Sequence, residues 1–318
     1  MKTLAGPTEL RTIRPVPVAF LLGLLVPAMA QAQAWLPPAG EASFTFAYQY
    51  MYAGFHTTAT GDELDRGKMR WNNLLSDLDF GVTDRLTIRL GIPYVVSKYT
   101  GNYPHPTSAD NGSWNSTFAD LRLEALFMAK TKGLVLTPFA AIGTPSHQYE
   151  YFAHAAPGRA LTEVTLGVGA GLLLDPVLPD GYAQTRLSYS IPEKVLGISH
   201  NRLNVELEVG YLVTAAFVID AFASWQKSQG GWTTADFPPP SSPLFQYHDQ
   251  LAQANFFDLG LGASYTVLPN VDVFVNGFTT IRSENTVLSS AITVGVKLGF
   301  SPARILRKAR EGGHAGAN

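Results

Sequence analysis

Between residues 42 and 300 the chain alternates apolar and polar positions with a period of two. Leu203, Val205, Leu207, Val209, Tyr211 and Val213 interleave with Arg202, Asn204, Glu206, Glu208 and Gly210. Leu86, Ile88, Leu90, Ile92, Tyr94 and Val96 interleave with Thr87, Arg89, Gly91, Pro93 and Val95. A period of two is the signature of a β-strand with two unlike faces. The pattern predicts twelve strands, near 42–56, 67–81, 85–99, 114–129, 134–145, 160–174, 182–190, 201–213, 215–227, 251–266, 271–283 and 287–300. Several exceed the ~5–6 residues usual in soluble sheets and suit the ~9–11 tilted residues that cross a membrane. The fifth, "LVLTPFAAIG", has no clean face, and ten or fourteen strands also fit much of the pattern. Pro93 lacks a ladder donor, so a bulge or bend is expected there.

The connections alternate in length. "TD", "KTKG", "PVLPDG", "TA" and "LPN" are short, whereas 57–66, 100–113, 146–159, 191–200 and 228–250 are long and rich in turn residues. Short turns at one end and long loops at the other are the habit of outer-membrane barrels. Only "SENT" (283–286) breaks the alternation by being short. A soluble sandwich also has one oily face, so depth must decide. With the first strand running outward, Tyr50, Tyr52, Tyr94, Tyr189 and Trp225 fall near the outer interface. Phe80, Phe127, Tyr211, Tyr265 and Phe300 fall near the inner one. Two aromatic belts on the oily face fit a membrane. Arg70 is the main charge on that face, and it lies at the outer rim. The expected fold class is therefore all-β: a transmembrane antiparallel up-and-down β-barrel of about twelve strands, closed first strand to last.

Composition narrows the picture further. The net charge of −2 gives no case for nucleic acid. The absence of cysteine excludes disulfides and thiolate metal sites. Residues 1–34 read as an export signal: Lys2, Arg11 and Arg14, then "VPVAFLLGLLVP", then "AMAQAQA" with small residues for cleavage after Ala34 or Ala32. The apolar run is too short to span a bilayer as a helix. The organisation expected is a signal at 1–34, a barrel at 35–300 and a basic periplasmic tail at 301–318, with a short helix over 302–310. Both mature termini then lie in the periplasm.

Several segments resemble a known family. "FGVTDRLTIRLGIPYVV", "FADLRLEALF", "LGVGAGLLL" and the run from "LGLGASYTVLPN" to "VGVKLGF" are similar to outer-membrane barrels named after the meta-cleavage pathway of phenol degradation. The resemblance covers about residues 42 to 300. It implies outer-membrane transport and little about substrate; the expected function is passive uptake of small, hydrophobic or aromatic solutes. The expected partners are membrane lipid and lipopolysaccharide, those solutes, and the barrel assembly machinery. The tail after Phe300 departs from the usual aromatic ending.

Parity places charge on the inner face: Asp77, Asp79, Arg89, Asp120, Arg122, Glu124, Glu163, Arg186, Arg202, Glu206, Glu208, Asp220, Asp258, Asp272, Arg282 and Lys297. One reading is a salt-bridge lattice that braces the wall. The other is a selectivity region, for which Arg89, Asp120, Arg122, Glu124, Glu206, Glu208 and Asp258 are the candidates. Inward Gly167, Gly169, Gly171, Gly260 and Gly262 suit curvature and packing against Phe256 and Phe274, or a substrate path. Two rival functions are an adhesion or structural barrel acting through its loops and a lipid-modifying enzyme. His147, His154, His200 and His248 fall in or beside loops, but no nucleophile motif accompanies them. Ser146 adjoins His147, and strand neighbours point to opposite faces. No cofactor or metal site is expected, "GDELD" (61–65) being read as a solvated loop.

Overall fold

The structure is a computed structural model that describes residues 34–302. Signal cleavage and the helix expected over 302–310 lie at or outside those bounds. Twelve spanning strands form: β1 (Ala42–Thr57), β2 (Lys68–Thr83), β3 (Leu86–Thr100), β4 (Asn115–Phe118 and Asp120–Phe127), β5 (Val135–Pro145) and β6 (Glu163–Leu173). They continue as β7 (Gly181–Pro192), β8 (His200–Leu212), β9 (Phe217–Gly230), β10 (Asn255–Leu268), β11 (Val271–Glu284) and β12 (Val287–Phe300). Each pairs antiparallel with its neighbours, and β1 pairs with β12 from Ala42–Phe300 to His56–Val287. The result is a closed twelve-stranded barrel, so no strand edge is left unpaired. Both described termini lie at the end with the short turns.

The side chains are distributed inside out relative to a soluble protein. Leu166, Leu207, Leu261 and Ile292 are exposed on the outer wall, while Thr87, Glu124, Thr137 and Thr293 are buried within it. Such an apolar exterior is stable only against hydrocarbon. Leu261, 70% exposed midway along β10, gives the test. Leu261→Arg is expected to cost about 2–4 kcal/mol, and Ile281→Arg at the long-loop rim about 0–1 kcal/mol, in urea unfolding from vesicles.

Three local expectations change. β5 is assigned by Phe139, which turns inward with Val135, Thr137 and Ala141, while Pro138, Ala140 and Ile142 face out. Its two faces look alike in sequence because an apolar ring is needed inside. Arg282, expected inward, lies outward instead. A register shift between Phe257 and Asp258 leaves Ile281 unpaired and sets Arg282 opposite Phe257, where it donates to Glu284 at 2.9 Å. One extra residue reverses the parity beyond it. The irregularity expected at Pro93 occurs across from it. β3 keeps its register with β2 (Leu75–Pro93), but β4 is interrupted at Ala119, whose N–H donates to the Pro93 carbonyl at 3.0 Å. The facing strand therefore bends around the missing donor.

Candidate functional site

Glu124 is the hub of the inner charge network. Its side chain is 1% exposed. Arg186 on β7 donates to both of its oxygens, at 3.0 and 2.7 Å. Arg122, on the same face of β4, donates to Oε2 at 3.1 and 2.6 Å. Arg89 is its cross-strand partner on β3, with Nη1 4.0 Å from Oε1, and forks onto Asp79 at 2.6 and 3.2 Å. The Arg186 guanidinium lies 3.4 Å from the centroid of the Phe139 ring, the reason that ring faces inward. Gly167 seats the ring, since a Cβ there would collide with it. Gly260 likewise makes room for Phe222, while Phe274 packs over Gly295. Of the inward glycines singled out in the sequence, Gly167, Gly171 and Gly260 thus make room for the rings of Phe139, Trp35 and Phe222, whereas Gly262 faces the Asp220 carboxylate.

The seven candidate residues do not form one site. Arg89, Arg122 and Glu124 meet, joined by Asp79 and Arg186. Glu206 adjoins them as the cross-strand neighbour of Arg186, and its Oε2 has no hydrogen-bond partner among the described residues. Asp120 is held nearer the long loops by the Tyr149 hydroxyl. Burial first, and then this carboxylate, push the Tyr149 phenol upward. Asp258 sits on another part of the wall opposite Thr280. Glu208 accepts from the Tyr182 hydroxyl at 2.7 Å and from Gln184 at 3.0 Å.

That last knot anchors a feature the alternation does not signal. Residues 34–38 lie inside the barrel at its short-turn end. The Ala34 N–H donates to Gln184 at 3.2 Å and its carbonyl accepts from Thr137 at 2.7 Å. The Trp35 ring meets Tyr182 edge-on at 6.2 Å. Ala34, Met128 and Val135 are buried together, with Trp35 and Leu36 against them. The Pro37–Pro38 backbone passes over Gly81 on β2, where a Cβ would strike the Pro38 carbonyl. β2 and β7 are five strands apart in a wall of twelve, so the segment crosses the lumen. Its signal in sequence is "AWLPPAG", an aromatic followed by stiff prolines just ahead of β1.

At the other end, the long loops fold inward over the mouth. Leu251 is fully buried against Leu161 and Val195, and Gln250 donates to the Arg159 carbonyl at 2.8 Å. Beneath them is a cavity of about 1210 Å³, lined among others by Met69, Trp71, Phe152, Phe237 and Phe245. His56, His105, His154 and His248 line it too. Asp110 orders this layer, accepting from the His105 N–H at 3.0 Å, the His105 ring at 2.9 Å and the His154 N–H at 3.0 Å. Burial alone would raise the Asp110 carboxyl, but these bonds outweigh it and hold it low. Burial pushes the His154 and His248 rings down to about 4, so both are neutral near pH 7. The four histidines come from β1 and three loops, which is why the sequence does not bring them together.

Ser146 and His147 differ from the strand-based expectation. β5 ends at Pro145, and beyond it Ser146 Oγ lies 2.9 Å from His147 Nδ1. Ser146 also donates to the Phe118 carbonyl at 3.0 Å, which commits its only proton. His147 Nε2 meets Thr117 at 3.0 Å instead of a carboxylate. The imidazole therefore donates to the serine, the reverse of what an activated nucleophile needs.

No protein-family model matches the chain, and no curated protein matches it. Solved structures do. An outer membrane channel from Pseudomonas putida F1 superposes with a TM-score of 0.65 at 14% identity, over 86% of this chain and 100% of that one. The fold is that of an outer-membrane barrel. The NanC porin (TM-score 0.48, 10% identity, 80% of this chain and 98% of that one) and the translocator domain of the autotransporter NalP from Neisseria meningitidis (0.47, 14%, 83% and 90%) are more distant. At these identities the likeness is one of fold. The resemblance to the phenol meta-pathway barrels rests on the quoted segments alone.

Proposed function

We propose that the chain is an outer-membrane channel for passive uptake of small hydrophobic or aromatic solutes, with its long loops outside and both termini in the periplasm. The observation that carries this reading is the vestibule of about 1210 Å³ under the long loops, walled by Trp71, Phe152, Phe237 and Phe245. Concave space walled by aromatic rings suits an aromatic ligand, and the polar groups on its wall, the four histidines with Arg66, Arg159 and Asp249 among them, would fix the orientation of that ligand. Deeper in the lumen Asp79, Arg89, Arg122, Glu124 and Arg186 are paired with one another, so this group braces the wall and offers little to an ionic solute. The loops fold inward, which supports uptake over adhesion. The committed Ser146 proton and the missing carboxylate at His147 speak against a hydrolase.

The vestibule reading has a direct optical test. Iodobenzene, an apolar aromatic that quenches indole emission on contact, is expected to quench the tryptophan emission of the detergent-solubilised protein saturably, and Trp71→Phe is expected to remove most of that quenching. Emission that falls only linearly, and equally in both proteins, would place iodobenzene in the micelle and not in the vestibule.

A further inference from the structure

We infer that the external loops bind a divalent first-row transition cation of the zinc class between His105, His248 and Asp249. The site is independent of the transport reading and stands or falls on its own chemistry.

The argument begins with protons. His105 Nδ1 lies 2.9 Å from Asp110 Oδ2, and His248 Nδ1 lies 2.6 Å from the Phe245 carbonyl. An ionised carboxylate and a carbonyl only accept, so both rings carry their proton on Nδ1. Each Nε2 is then the ring atom left to take a metal ion. These atoms face each other at 3.4 Å. Asp249 completes the group, with Oδ1 3.2 Å from His248 Nε2 and Oδ2 3.8 Å from His105 Nε2. Its Oδ2 is buried and has no hydrogen-bond partner among the described residues. Three ligand atoms converging on one point are held there by a shared proton or by a metal ion, and the metal ion is the occupant that engages all three at once.

Spacing and surroundings identify what fits. A tetrahedral zinc ion with bonds of about 2.0–2.1 Å holds its ligand atoms about 3.3–3.4 Å apart. The 3.2–3.8 Å separations are close to the edges of that tetrahedron. Two imidazoles and a carboxylate select zinc and its neighbours over magnesium or calcium, which prefer all-oxygen shells. Each histidine already has the outer partner that orients metal-bound imidazole: the Asp110 carboxylate for His105 and a backbone carbonyl for His248. Asp110 is itself fixed by the N–H groups of His105, His154 and Ala155. His154 is otherwise engaged, its Nε2 lying 2.8 Å from the Tyr103 carbonyl and its Nδ1 3.1 Å from His56. That leaves three protein ligands and a fourth position, an open site by zinc standards. Such an ion would tie the loop of His105 to the loop of His248 across the mouth.

The test uses the untagged full-length protein, refolded without lipopolysaccharide, stripped with chelator, loaded with zinc chloride and desalted. About one zinc per chain is expected by elemental analysis. His105→Ala and Asp249→Asn should reduce it to background, whereas His147→Ala should retain it. Folding of each variant is checked by heat-modifiable gel migration. Cobalt loading of the wild-type protein is the second measurement, and it decides alone where a variant does not fold. The intense visible absorption of four-coordinate cobalt supports the site; weak six-coordinate absorption overturns it. The proposal also fails if the wild-type chain retains no zinc, if folded His105→Ala keeps it, or if His147→Ala loses it.

Discussion

Glu124→Gln is expected to destabilise the barrel by about 3–5 kcal/mol, the range for removing one partner from a buried ion network. The neutral amide is nearly isosteric, so packing is conserved and the effect isolates charge. Among the described residues Arg186 loses its only carboxylate within ion-pair distance, and its side chain is 7% exposed, so water gives it little relief. Arg89 keeps Asp79 at 2.6 Å, and Arg122 is 47% exposed and can hydrate. The loss therefore falls mainly on Arg186 and the Phe139 ring beneath it. The same change leaves excess positive charge in the lumen, which should shift reversal potentials under a salt gradient toward anions. Arg89→Ala should shift them the other way, since it frees Asp79 while Glu124 retains two arginines. Urea unfolding in vesicles and planar-bilayer recordings read the two effects. Unchanged stability in Glu124→Gln would mean that the network is hydrated and bears no strain. Unchanged selectivity in both variants would leave it a brace alone.

Removing residues 34–38 is expected to raise single-channel conductance severalfold with little loss of barrel stability. The segment contributes no strand to the wall, and its contacts are those of a small plug: two hydrogen bonds at Ala34, one from the Glu41 N–H to the Pro38 carbonyl, and the packing of Ala34, Trp35 and Leu36 on Met128, Val135, Tyr182 and Gly171. It occupies cross-section out of proportion to that, because it runs from Gly81 to the far side of the barrel. Trp35→Ala should give a smaller increase, since the backbone of Pro37 and Pro38 still crosses. Equal conductance in the truncated and full-length proteins would show that the constriction lies elsewhere, in the Arg89–Glu124–Arg186 layer or under the long loops.

What the sequence shows follows from where one rule governs. On β8, lipid outside and charge inside impose strict alternation, and the strand is legible residue by residue. On β5 the rule fails because Phe139 must face inward to carry Arg186, a contact 47 positions away in the chain. At Arg282 it fails because parity counts residues, and the bulge at Ile281 adds one. Arg89, Arg122 and Glu124 are found together because neighbouring strands hold them in register. Arg186 is found only as one inward charge among many. The histidine layer has no sequence signature: His56, His105, His154 and His248 meet through loop folding, and Asp110 and Asp249 become their partners only in three dimensions. The segment 34–38 has no periodicity, so nothing in the alternation marks it as a lumenal element.

Entry of N-phenyl-1-naphthylamine into intact cells with an undisturbed lipopolysaccharide leaflet tests the central claim most directly. This apolar aromatic fluoresces on reaching the phospholipid within, and the polysaccharide leaflet is the barrier that a channel would bypass. Cells producing the protein are expected to brighten faster than cells without it, with a rate that rises with the amount of folded barrel in the outer membrane. Equal rates at high levels of folded protein would contradict the account.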